Sequence, residues 1–150
     1  MRMADNLVTN EGLYGSDAMT QREIGKLRVF FNANSEIKLV YFFGSRSRRE
    51  HGKLSDYDFA VYLDSKDKAR MYEIKVDLIV KISQVLKTDS IDVVILNLTN
   101  NADLKYLVVK EGRLIYEKEP FKVIVEPRIL NEYFDFHKML AKHKLTKASV

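Results

Sequence analysis

Hydrophobic and polar positions alternate along this chain in two rhythms, and the rhythms change often. Thr20 and Glu23 have the T-x-x-E spacing of a helix-capping box. Ile24, Leu27, Phe30 and Phe31 then recur at helical spacing to about Asn34. Ile37–Phe43 (IKLVYFF) is short, β-branched and aromatic, the composition of a buried strand. Residues 46–55 are polar and basic, and Asp56–Leu63 (DYDFAVYL) reads as a second strand. Over residues 67–87, Met71, Ile74, Leu78, Ile82 and Val85 form one helical stripe. Ile91–Leu96 predicts a third strand, Asn101–Lys110 a helix ending at the cap position Gly112, and Arg113–Glu117 a fourth strand. Pro120 breaks the pattern. A last helix is predicted from about Pro127 to His143, with Ile129, Leu130, Tyr133, Phe134, His137 and Leu140 inward.

Four helices interleaved with four short strands predict an α/β (α+β) domain, a small mixed β-sheet with helices packed against it. Residues 1–19 carry neither rhythm and read as a loose arm. Residues 20–143 form the domain, and 144–150 a basic tail. The chain's 150 residues, 46% hydrophobic and 31% charged, suit one packed domain. With no cysteine, a disulfide scaffold, a thiol nucleophile and cysteine-ligated metals are excluded. The three histidines (His51, His137 and His143) are too scattered for a histidine metal site. Apolar runs of about five residues fall far short of the roughly 20 that span a bilayer, and the start does not read as a signal peptide. A cytoplasmic protein without membrane attachment is expected.

The net charge of +4 is unevenly placed. Residues 46–53 hold four cations and one carboxylate, and residues 135–150 hold four lysines against Asp135, a net +3 in each; the rest sums to −2. One excess thus lies between the second element's Gly44-Ser45 ending and Asp56.

That interval is where the chemistry gathers. A strand ending in Gly-Ser and passing into a helical turn presents backbone N–H groups that favour a phosphate. Gly44 allows close backbone approach and the Ser45 hydroxyl can donate to a phosphate oxygen. Arg46, Arg48, Arg49 and Lys53 add positive charge. Ten residues after Ser45, Asp56 and Asp58 are two apart on a predicted strand, so both carboxylates share a face with Ala60 and Tyr62. Tyr57, Phe59, Val61 and Leu63 share the other. Paired carboxylates repel unless a cation sits between them, and Mg²⁺ accepts carboxylates together with phosphate oxygens. Asp92 enters an apolar strand, a costly position for a carboxylate without a partner. If its strand neighbours the D-x-D strand, it joins the same cluster. Three carboxylates facing a phosphate cradle suit two-metal nucleotidyl transfer.

GSRSRREHGKLSDYD, followed by a third acidic strand residue, resembles the signature of the DNA polymerase beta-type nucleotidyltransferase superfamily. The small size, the ten-residue gap and the EGRLIYE and LNEYFDFHKML segments are most similar to minimal nucleotidyltransferases of the MntA-like antitoxin type, which are paired with HEPN-domain toxins. The resemblance runs from about residue 24 to 143. It implies that Gly44 and Ser45 bind the triphosphate, with Arg46 as an added phosphate contact. It implies that Asp56 and Asp58 bind two Mg²⁺ ions and that Asp92 completes the activating metal's site. It further implies an ATP-dependent transfer of AMP to a tyrosine of a HEPN ribonuclease partner, blocking that toxin.

Two alternatives stand beside that expectation. One is a nucleotidyltransferase with a small-molecule or RNA hydroxyl as acceptor; a free RNA end favours a broad basic groove with exposed aromatics, whereas the aromatics here fall mainly at core spacing. Direct nucleic-acid binding is therefore not expected. The other is an antitoxin that inhibits by binding alone.

Overall fold

The computed structural model of the protein describes residues 19–43 and 57–143. Helix α1 (Gln21–Ala33) starts with a complete capping box. The Glu23 N–H donates to Thr20 Oγ1 at 3.1 Å, and the Thr20 N–H donates to Glu23 Oε1 at 2.8 Å. A cap of this kind contributes about 1 kcal/mol. Met19 precedes the cap and is buried in the same cluster as Ile24 at the fourth helical position, the arrangement of a hydrophobic staple. The core therefore takes in the last residue of the segment read as an arm.

Strands β1 (Ile37–Phe43), β2 (Tyr57–Leu63), β3 (Ile91–Ile95) and β4 (Arg113–Glu117) form one sheet in the order β3-β2-β1-β4. β1 is antiparallel to β2 and β4, and β2 is parallel to β3. The parallel pair is joined through α2 (Lys68–Leu86), as a crossover requires. Asp67 caps α2 by accepting from the N–H groups of Ala69 and Arg70.

Each face of the sheet carries a core. On one face, Phe42, Phe59, Val61 and Val93 pack against Ile24, Leu27 and Phe31 of α1 and Met71, Ile74, Leu78 and Ile82 of α2. On the other, Leu39, Tyr41, Phe43 and Ala60 pack against Val108 of α3 (Ala102–Glu111) and Val125 and Ile129 of α4 (Phe121–Lys142). β1 is thus covered on both faces, which is why it reads as an unbroken apolar run. A register irregularity after Ile37 switches its alternation, so Ile37 joins the core of Val40 and Phe42.

Three expectations are corrected. β3 ends at Ile95, and Leu96–Leu98 is a 3-10 turn. The last helix begins at Phe121, not near Pro127, which sits inside it. Phe121, Val125 and Ile129 repeat every four residues against the sheet and set the start. Pro127 and Val123 lie on the exposed side, where water can satisfy the carbonyl that loses its bond. Phe134 is 57% exposed rather than inward, because the helix axis follows the earlier stripe. Among the described residues no helix is long and apolar enough to cross a membrane.

Candidate active site

The site is built at the ends of three adjacent strands. Phe43 ends β1 and pairs with Asp58, and Asp58 pairs with Asp92 at the start of β3. Phe43, Asp58 and Asp92 thus form a row across the sheet at the usual strand spacing of about 4.8 Å. Residues directly opposite in register project to one face. That face carries Phe43, Ala60 and Val94, against α3 and α4. The neighbouring Tyr57 faces the other core, where it stacks on Phe42 with ring centroids 6.0 Å apart.

The condition set by the sequence, that the Asp92 strand lie beside the Asp58 strand, is therefore met. The burial argument for Asp92 is not. Asp92 is exposed and Asp58 half-buried, because β3 starts at the sheet edge; no desolvation cost arises there. Gly44, Ser45, Arg46 and Asp56, together with Arg48, Arg49, His51 and Lys53, lie outside the described residues. Among the described residues no three histidine, cysteine or carboxylate side chains converge to hold a metal. Asp58 and Asp92 supply two hard oxygen donors on one face, which suits Mg²⁺ and its preference for one or two carboxylates plus phosphate oxygens.

Two residues that position this row carry weaker sequence signals. Gly112 caps α3 in extended geometry (φ −74°), and its N–H donates to Val108 O at 2.8 Å. A Cβ at Gly112 would meet Val108 O at 2.4 Å and Phe43 Cβ at 3.3 Å. Glycine is needed there for close approach rather than for a left-handed turn, and it lets α3 press against the end of β1. Asn97 works from the other end of β2. Its Oδ1 accepts from Leu63 N–H at 2.9 Å and its Nδ2 donates to Leu63 O at 2.7 Å. The side chain thereby continues the β2–β3 ladder past Ile95 and holds its register. The glycine after a helix was a readable signal; an asparagine after an apolar strand was not.

Most other aspartates serve the surface. Asp103, on α3, meets His137 Nε2 of α4 at 2.6 Å, and Tyr133 stacks on Tyr106 at 3.8 Å. Tyr41, under α4, donates from its hydroxyl to Glu126 Oε2 at 2.6 Å. Burial first, and then the Glu126 carboxylate, push its ionisation far above the ordinary tyrosine range.

The family model for polymerase beta nucleotidyltransferases matches residues 25–121. No curated protein matches the chain. Among solved structures, a chain of a toxin–antitoxin complex with AMP-PNP is 22% identical with a TM-score of 0.64, covering 83% of this chain and 94% of that one. A chain of the MntA–HepT toxin–antitoxin complex is 21% identical, with a TM-score of 0.61 over 82% and 94%. A chain from the complex of tri-AMPylated Shewanella oneidensis HEPN toxin with MNT antitoxin is 21% identical, with a TM-score of 0.62 over 83% and 94%. These likenesses bear on the fold. With the family match spanning most of the domain, the chain belongs to the polymerase beta nucleotidyltransferase family.

Proposed function

We propose that this protein is an antitoxin adenylyltransferase that moves AMP from ATP to a tyrosine hydroxyl of a HEPN-type partner protein. The observation that carries the reading is the same-face register of Asp58 and Asp92 beside the end of β1. The likeness to chains from complexes described with AMP-PNP and with an AMPylated HEPN toxin supports the nucleotide and the partner.

In this reading Gly44 and Ser45 bind the triphosphate, with Arg46 as an added phosphate contact. Asp56, Asp58 and Asp92 would hold two Mg²⁺ ions, which would supply charge neutralisation for the triphosphate and activation of the hydroxyl. The acceptor oxygen forms a bond to the α-phosphorus as the bond from that phosphorus to the bridging oxygen breaks. Pyrophosphate leaves with the electron pair. Asp92, exposed at the strand start, receives the phenolic proton or passes it to water. The rim of the site lies at the sheet end, where a second protein can present its hydroxyl.

The test is the intact mass of the HEPN-domain protein encoded beside this gene, after incubation with ATP, Mg²⁺ and this protein. The expected result is a gain in steps of one adenylyl group and loss of the partner's ribonuclease activity. An unchanged mass defeats the reading. Retained neutralisation by a double variant, Asp56→Ala with Asp58→Ala, would instead assign inhibition to binding alone.

A further inference from the structure

The sheet has two outer strands, β3 and β4, and the chain treats their edges differently. An open edge offers unpaired N–H and C=O groups to any strand, and folded proteins blunt such edges with bulges and charged side chains. On β4 both devices are in place. Tyr116 pairs with Val40 and Leu114 with Tyr41, which leaves Ile115 as an extra residue between them. Arg28 of α1 then donates from Nε to Ile115 O at 2.7 Å. Among the described residues β3 has no bulge and no side chain bonded to its edge. Its single charge is Asp92.

The Tyr57 N–H donates to Ser90 O at 2.9 Å. Alternate residues of a strand bond to the same neighbour, so Asp92 and Val94 also turn their main chain to β2. Ile91 and Val93, with the Ile95 N–H, therefore face the open edge. A hollow of about 240 Å³ lies there, lined by residues 92–95 of β3 and by Tyr72 and Lys75 of α2, among others. Tyr72, Val76 and Ile79 recur at i, i+4 and i+7 as one apolar side of α2. Tyr72 is 54% exposed and Val76 57%. The side of α2 half a turn away belongs to α1, where Lys81 Nζ lies 5.9 Å from the centre of the Phe30 ring. An uncovered apolar helix side and an unpaired strand edge thus lie next to one another.

We infer that this edge is filled by β3 of a second copy of the chain, paired antiparallel about a two-fold axis at Val93, so that two four-stranded sheets become one. The strand is self-complementary in that register. Val93 exchanges both main-chain bonds with its counterpart, and the Ile95 N–H donates to Ile91 O across the axis. Asp92 falls opposite Val94, so no like charges meet in the ladder. Each copy brings one cation, Lys75, and one carboxylate, Asp92, to the hollow, so opposite charges meet in equal number. The two α2 helices then run antiparallel, with Tyr72 against Ile79 and Val76 against Val76. Their stripe is about 10 Å long at 1.5 Å per residue, close to the roughly 13 Å from Ile91 to Ile95 at 3.3 Å per residue. Because β4 is blunted, β3 does not add to the β4 edge of another copy, and the assembly closes as a dimer. The interface abuts the candidate site, since Ile91 and Val93 flank Asp92, but it does not depend on the transfer reading.

Sedimentation of the full chain over a dilution series, with amide exchange at each concentration, tests this. A reversible dimer is expected. The Val93 and Ile95 amides should exchange slowly in the dimer and quickly after dilution, while the Asp92 and Val94 amides stay protected throughout. Val76 is exposed, so Val76→Lys and Val76→Glu should fold, which circular dichroism verifies. Each alone should weaken association roughly a hundredfold, because like charges then meet at the axis. Mixed together, the two variants should pair with each other. A chain that stays monomeric at every concentration overturns the inference, including one whose Val93 amide is protected only when a HEPN-domain protein is added. A dimer that is indifferent to both substitutions, or whose Val93 amide exchanges quickly, also overturns it. Protection of that amide in the monomer assigns the edge to another part of the same chain and overturns it too.

Discussion

Asp58 and Asp92 stand directly opposite one another across the parallel β2–β3 pair, and Phe43 stands opposite Asp58 on the antiparallel side. Two carboxylates fixed on one face at strand spacing repel, and a divalent cation between them removes the repulsion. Millimolar Mg²⁺ is therefore expected to raise the melting temperature of the wild type, since a ligand of the folded state stabilises it. Asp92→Asn should shrink that rise and abolish adenylyl transfer while leaving the circular dichroism spectrum unchanged. An equal Mg²⁺ shift in the variant would remove Asp92 from the metal site.

Gly112 ties α3 to the end of β1 through contacts that leave no room for a methyl group. Gly112→Ala forces Val108 and Phe43 apart. The expected loss is about 2 kcal/mol, within the range for overpacked positions. Chemical denaturation measures it. Transfer activity at a temperature where the variant is fully folded should also fall, because Phe43 immediately precedes Gly44 and Ser45 in the chain.

Asn97 spends both ends of its amide on the main chain of Leu63. Asn97→Ala leaves a partly buried N–H and C=O without partners, at a cost of about 1–3 kcal/mol. Asn97→Asp should also destabilise at neutral pH, since the carboxylate can accept from Leu63 N–H but cannot donate to Leu63 O. Amide exchange at the ends of β2 and β3 should quicken in both variants.

Tyr41 links stability to alkaline pH. Its ionisation is raised in the folded state, chiefly by burial and then by Glu126, above the ordinary value of about 10. The folded state therefore holds this proton more tightly than the unfolded chain. Stability from Tyr41 is complete below about pH 10 and declines as the pH rises above it. Burial raises Tyr116 in the same direction. Tyr41→Phe should cost about 1.5–3 kcal/mol at pH 7, the range for a hydrogen bond to a charged group. It should also flatten the alkaline decline, seen by following urea midpoints from pH 8 to 11.

Lys87 caps α2 in the left-handed region (φ 57°, ψ 44°), a conformation that favours glycine. Lys87→Gly is expected to stabilise by up to about 1 kcal/mol without touching activity, measured as a higher melting temperature.

Much of this architecture was legible in the chain. Ile24, Leu27 and Phe31, and the stripe from Met71 to Ile82, fall on buried faces as their spacing predicts. Asp58 and Tyr57 divide between faces because strand alternation is a local rule. The start of α4 was not legible. Pro127 has the signature of a first helical residue, but the stripe of Phe121, Val125 and Ile129 and the bond from Tyr41 to Glu126 hold the helix six residues earlier. Packing there outweighs the single missing N–H. Phe134 was misread for the same reason, since its inward placement assumed the later start.

Sequence alone determined the order of elements, the helix caps and the chemical types assembled near Gly44, because spacing and residue type act over a few neighbours. Tertiary structure decided that β3 lies beside β2 with Asp92 opposite Asp58, and that Gly112 presses on Phe43. These juxtapositions join residues 34 and 69 positions apart. They arise from burying two faces of one sheet at once, a condition that no local pattern encodes.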